Sequence, residues 1–140
     1  MALQAQEIKL GDIYEEDIVE NLTRTQIVQY AGASGDYNPV HTDEIFATKV
    51  ARYPSVFAHG MLTMGMTGKA VTNYVGDGRL MKYGVRFSKQ VWPGDSLHTK
   101  LTVTEIRQDD GQHFVDIEVE TKNDKDEVVL IGTATARIDA

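Results

Sequence analysis

The sequence has 140 residues, of which 41% are hydrophobic and 25% are charged, a balance typical of globular proteins. A chain of this length can bury one hydrophobic core but is short for two ordinary domains, so we expect residues 1–140 to form a single domain. The formal net charge of -7 argues against a nucleic-acid-binding protein and against a polybasic membrane anchor, because both need a basic surface.

Cysteine is absent from the sequence, which excludes a disulfide scaffold, thiolate zinc sites and cysteine nucleophiles. Residues 1–11 contain no apolar stretch of the kind found in secretory signals, and no apolar run approaches the length of a membrane span. We therefore expect a cytoplasmic protein.

The N-terminal part of the chain predicts an extended segment followed by a helix. Ile13 to Asn21 forms the extended segment, although its acidic residues make the pattern weak. A helix then begins at Thr23, which forms a capping box with Gln26. Leu22 and Ile27 stand at the two positions of a hydrophobic staple, which supports the same helix start.

A polar, glycine-containing segment separates this helix from a second, shorter one. Gly32 and Gly35 bracket the end of the first helical pattern, and Asn38 with Pro39 marks a turn. Thr42 can cap the second helix. The apolar side of that second helix consists of Ile45, Phe46 and Val50.

Residues 61–75 predict a buried helix, because Lys69 is their only charged residue and helices that are apolar on several faces are normally buried. Gly65 and Gly68 would each weaken the helix by about 1 kcal/mol relative to alanine. We expect them to permit close approach of a sheet. The predicted inner stripe consists of Met61, Met64, Gly65, Gly68, Val71 and Val75.

From residue 79 onward the hydrophobic period changes from helical to alternating, which predicts strands. The strands are separated by turns at residues 92–95, 109–112 and 123–126. The simplest architecture is an α+β fold in which a curved antiparallel sheet wraps around the buried helix.

Several motifs in fixed order resemble the signature of the MaoC-like, (R)-specific enoyl-thioester hydratases. The first motif comprises Tyr30, Ser34-Gly35-Asp36, Asn38-Pro39, His41 and Ala47. The second is Ala58-His59-Gly60-Met61-Leu62, which also resembles stand-alone 3-hydroxyacyl-carrier-protein dehydratases, and the third is Arg86-Phe87 followed by Pro93-Gly94-Asp95. The resemblance implies a hot-dog fold, usually dimeric, that acts on acyl groups carried by coenzyme A or acyl carrier protein. We expect no cofactor.

Hydration of a trans-2-enoyl thioester needs a base for water, a proton for C2 and stabilisation of the thioester oxygen. Asp36 and His41 can supply the first two as an acid/base pair, with His41 as the main base and Asp36 orienting the water. Which of the two moves the C2 proton stays open. Taken alone, Asp36 would more often be a helix cap and His41 a surface histidine, but the complete signature favours catalysis.

Gly60 is the candidate oxyanion donor, because it begins the buried helix, where backbone N–H groups lack an intrahelical partner. The alternative is that Gly60 only permits a tight entry into the helix. His59 suits a structural hydrogen bond equally well. A metal site formed by Asp36, His41 and His59 is conceivable, but no familiar ligand spacing is present, so we expect no metal.

Four residues are candidates for substrate binding. Ser34 supports the loop, and for Asn38 we favour a structural turn role over one that also aims His41. Met61, together with two neighbouring methionines, lines either an acyl tunnel or the plain core. Arg86 is our first choice for contacting an anionic carrier, among the basic residues Lys49, Arg52, Arg79, Lys82, Arg86 and Lys89.

The sequence thus predicts reversible interconversion of trans-2-enoyl and (R)-3-hydroxyacyl thioesters by a homodimer, or by a heterodimer with a related hot-dog chain. A second hypothesis is a catalytically silent partner subunit, which the presence of both Asp36 and His41 disfavours. A third is an acyl thioesterase on the same fold.

Overall fold

Five antiparallel strands form one sheet in the computed structural model, which describes residues 3–140. The strands, in chain order, are β1 (Ile13–Val19), β2 (Leu80–Phe87), β3 (Leu97–Asp109), β4 (Gln112–Asn123) and β5 (Val128–Ile138). Their spatial order is β1-β3-β4-β5-β2, and every neighbouring pair is antiparallel. β1 and β2 are therefore the two edges. Within residues 3–140, no helix is both long enough and apolar enough to cross a membrane.

The first helix, α1 (Arg24–Ser34), begins as the sequence predicts. The Oγ1 atom of Thr23 accepts the N–H of Gln26 at 3.1 Å, and the Oε1 atom of Gln26 accepts the N–H of Thr23 at 2.9 Å. Gly35 ends the helix with a φ of 77°, a left-handed conformation that favours glycine. Gly32 lies inside α1 and does not interrupt it.

The segment after α1 differs from the short helix predicted there. A single 3₁₀ turn (Pro39–His41) is followed by one π-helical turn (Phe46–Val50). The predicted cap at Thr42 is wrong, because Asp43 performs this role: its Oδ1 atom accepts the N–H of Phe46 at 3.1 Å. Ile45 and Val50 are 73% and 64% exposed, so the predicted apolar side is not buried by this chain.

The second helix, α2 (Gly60–Val75), packs against the sheet with a face that matches the predicted one at Val71 and Val75 but not at the start of the helix. Its buried residues are Thr63, Thr67, Ala70, Val71 and Val75. Thr67 lies inside because its Oγ1 atom is 2.8 Å from that of Thr121, which in turn is 2.8 Å from that of Thr99. A buried hydroxyl is tolerated when it has such a partner. The predicted stripe is therefore wrong at Met61 and Gly65, which are exposed.

One of the two predicted close approaches to α2 is confirmed. A Cβ atom at Gly68 would lie 3.1 Å from the ring of Tyr83 on β2, whereas a Cβ atom at Gly65 would have nothing within 4 Å. The hydroxyl of Tyr83 also donates to the carbonyl of Met64 at 2.8 Å. These contacts fix the first half of α2 against an edge strand, and the predicted α+β architecture is confirmed.

Candidate active site

Successive side-chain hydrogen bonds shape the loop between α1 and the 3₁₀ turn. The Oγ atom of Ser34 accepts the N–H of Asp36 at 3.1 Å, and the Oδ1 atom of Asp36 accepts the N–H of Asn38 at 3.2 Å. The Oδ1 atom of Asn38 then accepts the N–H of Val40 at 3.1 Å. Each short polar side chain thus binds the backbone two residues further on, as in Asx and Ser/Thr turns. Ser34 and Asn38 therefore hold the loop, which is the role we favoured for them.

His41 follows this loop and is 8% exposed. Its Nδ1 atom is 2.7 Å from the carbonyl oxygen of Phe57. A carbonyl only accepts, so the proton of the neutral ring lies on Nδ1 and the lone pair on Nε2. Burial lowers the pKa of His41, although the bond to Phe57 acts in the opposite direction. The result is a neutral imidazole whose Nε2 atom can accept a proton.

His59, the residue before α2, is 1% exposed and contacts both Asp36 and His41. Its Nε2 atom is 3.0 Å from the carbonyl oxygen of Asp36. Its ring stacks on that of His41, with the centroids 3.9 Å apart and the planes inclined by 24°. The ring of Tyr30 also contacts that of His59, in a T-shaped arrangement with the centroids 4.9 Å apart. The structural hydrogen bond that the sequence allowed for His59 is present.

The structure brings the two predicted acid/base residues together. One carboxylate oxygen of Asp36, one ring nitrogen of His41 and one ring nitrogen of His59 all lie within 4.8 Å of one another. A water molecule that bonds two groups can bridge about 5.5 Å, twice a normal hydrogen-bond length. Asp36 is exposed while His41 is buried, so a water held between them can come from solvent.

The same three residues carry ligand types that bind metal ions, but their geometry is poor for one ion. The lone pair of an imidazole nitrogen lies in the plane of its ring. Because the rings of His41 and His59 are stacked 3.9 Å apart with their planes inclined by only 24°, an ion at bonding distance could not lie in the planes of both rings. In addition, Nε2 of His59 is engaged by the Asp36 carbonyl, which leaves only its Nδ1 atom for an ion.

Gly60 is the first residue of α2, and it faces a cavity of about 280 Å³. Its N–H lies in the first helical turn, where no acceptor exists within the helix and the dipole favours negative charge. A Cβ atom at this position would lie 3.1 Å from the ring of Phe87. The cavity is lined by Phe57, Ala58, Gly60, Thr63, Phe87, Ser88, Lys89, Gln90, Val91 and Val129.

Asp36 and His41 do not line this cavity, but Phe57 connects the two regions. Phe57 is part of the cavity wall, and its carbonyl oxygen binds His41. Sequence reasoning did not assign a role to Phe57, because a backbone acceptor leaves no signal in residue type. Phe87 was quoted only as part of a motif, and its contact with Gly60 was not foreseen.

The structure does not bring Met61 and Arg86 into the cavity. Met61 is 55% exposed, and its neighbours Met64 and Met66 pack against the core. Arg86 is exposed and precedes Phe87 on β2. Because successive strand residues point to opposite faces, the side chain of Arg86 points away from the face on which Phe87 lines the cavity. Of the other basic residues, Lys89 lines the cavity but pairs with Glu127, and Arg79 pairs with Asp139.

Comparison with known proteins shows the family of the chain. Residues 7–127 match the family described as MaoC like domain. The chain is 40% identical over 75 residues to 3-hydroxyacyl-thioester dehydratase Y of Mycobacterium tuberculosis, covering 51% of this chain and 26% of that protein. It is also 40% identical over 77 residues to the peroxisomal enoyl-CoA hydratase 2 of Arabidopsis thaliana, covering 53% of this chain and 25% of that protein.

A similar solved structure is the unliganded R-hydratase PhaJ1 of Pseudomonas aeruginosa. It superposes with a TM-score of 0.84 at 26% identity and covers 96% of this chain and 84% of that one. The expected hot-dog fold is confirmed. The chain belongs to the MaoC-like domain family. It spans about a quarter of the length of the two curated relatives above.

Proposed function

We propose that the chain is a hydro-lyase that reversibly converts trans-2-enoyl thioesters into (R)-3-hydroxyacyl thioesters, with the acyl group carried by coenzyme A or acyl carrier protein. The observation that carries the proposal is the placement of the Asp36 carboxylate and a ring nitrogen of His41 within 4.8 Å of each other. The names of the relatives, which include a hydratase and a thioester dehydratase, support the substrate class.

In hydration, the water lies between the carboxylate of Asp36 and Nε2 of His41. Nε2 removes a proton as the water oxygen bonds to C3, and the C2–C3 π electrons move toward the thioester carbonyl. The proton held by the acid/base pair then returns to C2, so water is added without any other reactant. Positioned acid/base groups of this kind contribute typically about 10²–10⁴-fold in rate.

Negative charge develops on the thioester oxygen during the attack on C3. We assign the N–H of Gly60 as its hydrogen-bond donor, because the cavity reaches Gly60 and the helix start favours an anion. A donor of this type is worth about 3 kcal/mol of transition-state stabilisation.

We also propose that the chain acts as a homodimer. β2 is an edge of the sheet, and Met81 and Phe87 on this strand are exposed, as is Met61 at the start of α2. An exposed edge strand with apolar side chains is a surface that a second chain can cover. Light scattering of the purified chain tests this. A monomer that assembles only with a related hot-dog chain would instead support the heterodimer.

The proposed activity is tested with trans-2-enoyl thioesters of increasing chain length on both carriers, by the loss of the conjugated enoyl absorbance. Asp36→Asn and His41→Ala should each nearly abolish turnover while leaving the fold and oligomer intact, whereas the matched variant His113→Ala on β4 should retain it. Near-normal activity of either site variant on every substrate would refute the assignment. Release of free thiol would indicate the thioesterase instead.

A further inference from the structure

We propose that His59 is a positioning residue, which holds both the loop bearing Asp36 and the ring of His41 against the start of α2. This inference rests on the proposed hydratase function. The contacts that carry the inference are those of His59 with the main chain of Asp36 and with the ring of His41, so we infer that His59 acts through these two residues.

The tether of His59 to the loop is a hydrogen bond to main chain. Asp36 uses its N–H and one carboxylate oxygen for bonds to Ser34, the last residue of α1, and to Asn38, each two residues away in the chain. Among the hydrogen bonds of Asp36 in residues 3–140, the one from Nε2 of His59 to its carbonyl is the one that joins Asp36 to a residue distant in the chain. The orientation of the carboxylate relative to α2 therefore depends on this donor.

The second contact of His59 is with the base. Its ring covers one face of His41 at a centroid distance of 3.9 Å, while Phe57 approaches the same ring edge-on at 5.1 Å and accepts the Nδ1 proton. Three contacts therefore fix the ring of His41: the stacked ring of His59, the ring of Phe57 and the carbonyl of Phe57. Because His59 immediately precedes Gly60, these contacts fix the positions of Asp36 and His41 relative to the proposed oxyanion donor.

The other nitrogen of His59 shows why an imidazole occupies this position. Within the described residues 3–140, its Nδ1 atom is buried and has no hydrogen-bond partner. A buried polar atom without a partner is unfavourable, and phenylalanine or leucine would fill this space without one. What an imidazole provides here, and those side chains do not, is the N–H donor at Nε2, which binds the carbonyl of Asp36.

Two substitutions separate these contributions. His59→Phe keeps an aromatic ring beside His41 but removes the donor, and His59→Gln places an amide N–H near the position of Nε2. The matched controls are His113→Phe and His113→Gln on β4, where His113 pairs with Gln108 of β3 and Ile138 of β5 and has no contact with the site residues in the sheet register. Kinetics are measured on the best enoyl thioester of the wild type, after unfolding curves show which variants are folded. If His59→Phe does not fold, His59→Leu replaces it.

We expect His59→Phe to lower kcat at least about tenfold with less than about a threefold change in KM, because small misplacement of reacting groups impairs chemistry more than binding. His59→Gln should recover most of the loss, and both controls should match the wild type. An unchanged kcat in His59→Phe, or equal losses in the two His59 variants, would overturn the inference.

A second measurement keeps this test independent of the proposed activity. Amide hydrogen exchange at Asn38 and Val40, whose N–H groups are bound within the loop, should be faster in His59→Phe and close to wild type in His59→Gln. If the wild type lacks hydratase activity, the proposed function fails, and the exchange rates still decide whether His59 holds the loop. Unchanged exchange in His59→Phe would overturn the inference.

Discussion

The Nδ1 atom of His41 lies 2.7 Å from the carbonyl oxygen of Phe57, a backbone group 16 residues away in the chain. This bond fixes the tautomer of the ring and directs the lone pair of Nε2 away from Phe57. The catalytic proposal depends on this relationship, because a base must be unprotonated at the atom that faces the water.

The first prediction concerns pH. Burial is the main cause that lowers the pKa of His41 from its ordinary value of 6.5. Hydration requires the neutral ring, so kcat/KM for hydration should be constant above about pH 6.5 and fall about tenfold per unit below the lowered pKa. Initial rates at constant ionic strength test this. A continued rise of the rate between pH 7 and 9 would show that a different group is the base.

The second prediction concerns the turn before His41. Asn38→Ala removes the oxygen that accepts the N–H of Val40, and loss of such a cap destabilises by about 1 kcal/mol. Because the turn carries His41, kcat should also fall several-fold. Asn38→Ser is the matched control, since serine can provide the same kind of acceptor. Urea unfolding and steady-state kinetics measure both effects, and equal activity in the two variants would contradict a positioning role for this turn.

The third prediction concerns Gly60. In Gly60→Ala the new Cβ atom would lie 3.1 Å from the ring of Phe87, so the ring must shift within the proposed site. We expect kcat/KM to fall about tenfold with little change in stability, because a displacement near 1 Å can affect chemistry strongly. Phe87→Leu should relieve part of the loss when it is combined with Gly60→Ala.

Gly65 supplies a control for that experiment. It lies in the same helix, and a Cβ atom there would have nothing within 4 Å. Gly65→Ala should therefore leave kcat unchanged and raise helix stability by about 0.5–1 kcal/mol. Comparable losses of activity at Gly60 and Gly65 would point to a general requirement for glycine in α2 instead of a specific contact with Phe87.

The fourth prediction concerns the pairing of β2 with β5. A Cβ atom on Gly132 would overlap the carbonyl oxygen of Gly84 and lie 2.8 Å from the Cα atom of Val85. These are backbone atoms, so Gly132→Ala should destabilise by about 3 kcal/mol or more. Gly84→Ala is the control, because its Cβ atom would meet nothing within 4 Å. Similar midpoints of urea unfolding for the two variants would show that the strands separate easily at Gly132.

Local signals in the sequence predicted local structure well. The capping box of Thr23 and Gln26 involves residues three apart, and both of its hydrogen bonds are present. Thr42 and Asp43 carry equally suitable oxygens, so the sequence could not decide which of them begins the next turn. The predicted inner face of α2 was correct at Val71 and Val75 but missed Thr67, which finds its partner in Thr121, 54 residues further along the chain.

The candidate site shows the same difference between local contacts, which the sequence indicates, and contacts between distant residues, which it does not. Ser34, Asp36 and Asn38 are short polar residues at alternate positions, a pattern from which the consecutive turns could have been predicted. The bond from His59 to the carbonyl of Asp36 spans 23 residues and involves a backbone acceptor, which every residue type offers. The sequence therefore predicted that Asp36 and His41 lie together, as they do in the structure, but not what holds them together.

The turn at Asp36 has a consequence for which acid can stand there. Its Oδ1 atom already accepts the N–H of Asn38, which fixes the orientation of the carboxylate and therefore the direction of its second, free oxygen. A glutamate carries the same charge, but its extra methylene would close a larger ring with that N–H and aim the free oxygen elsewhere. The length of the side chain, rather than its charge, therefore decides which acid can stand at this position.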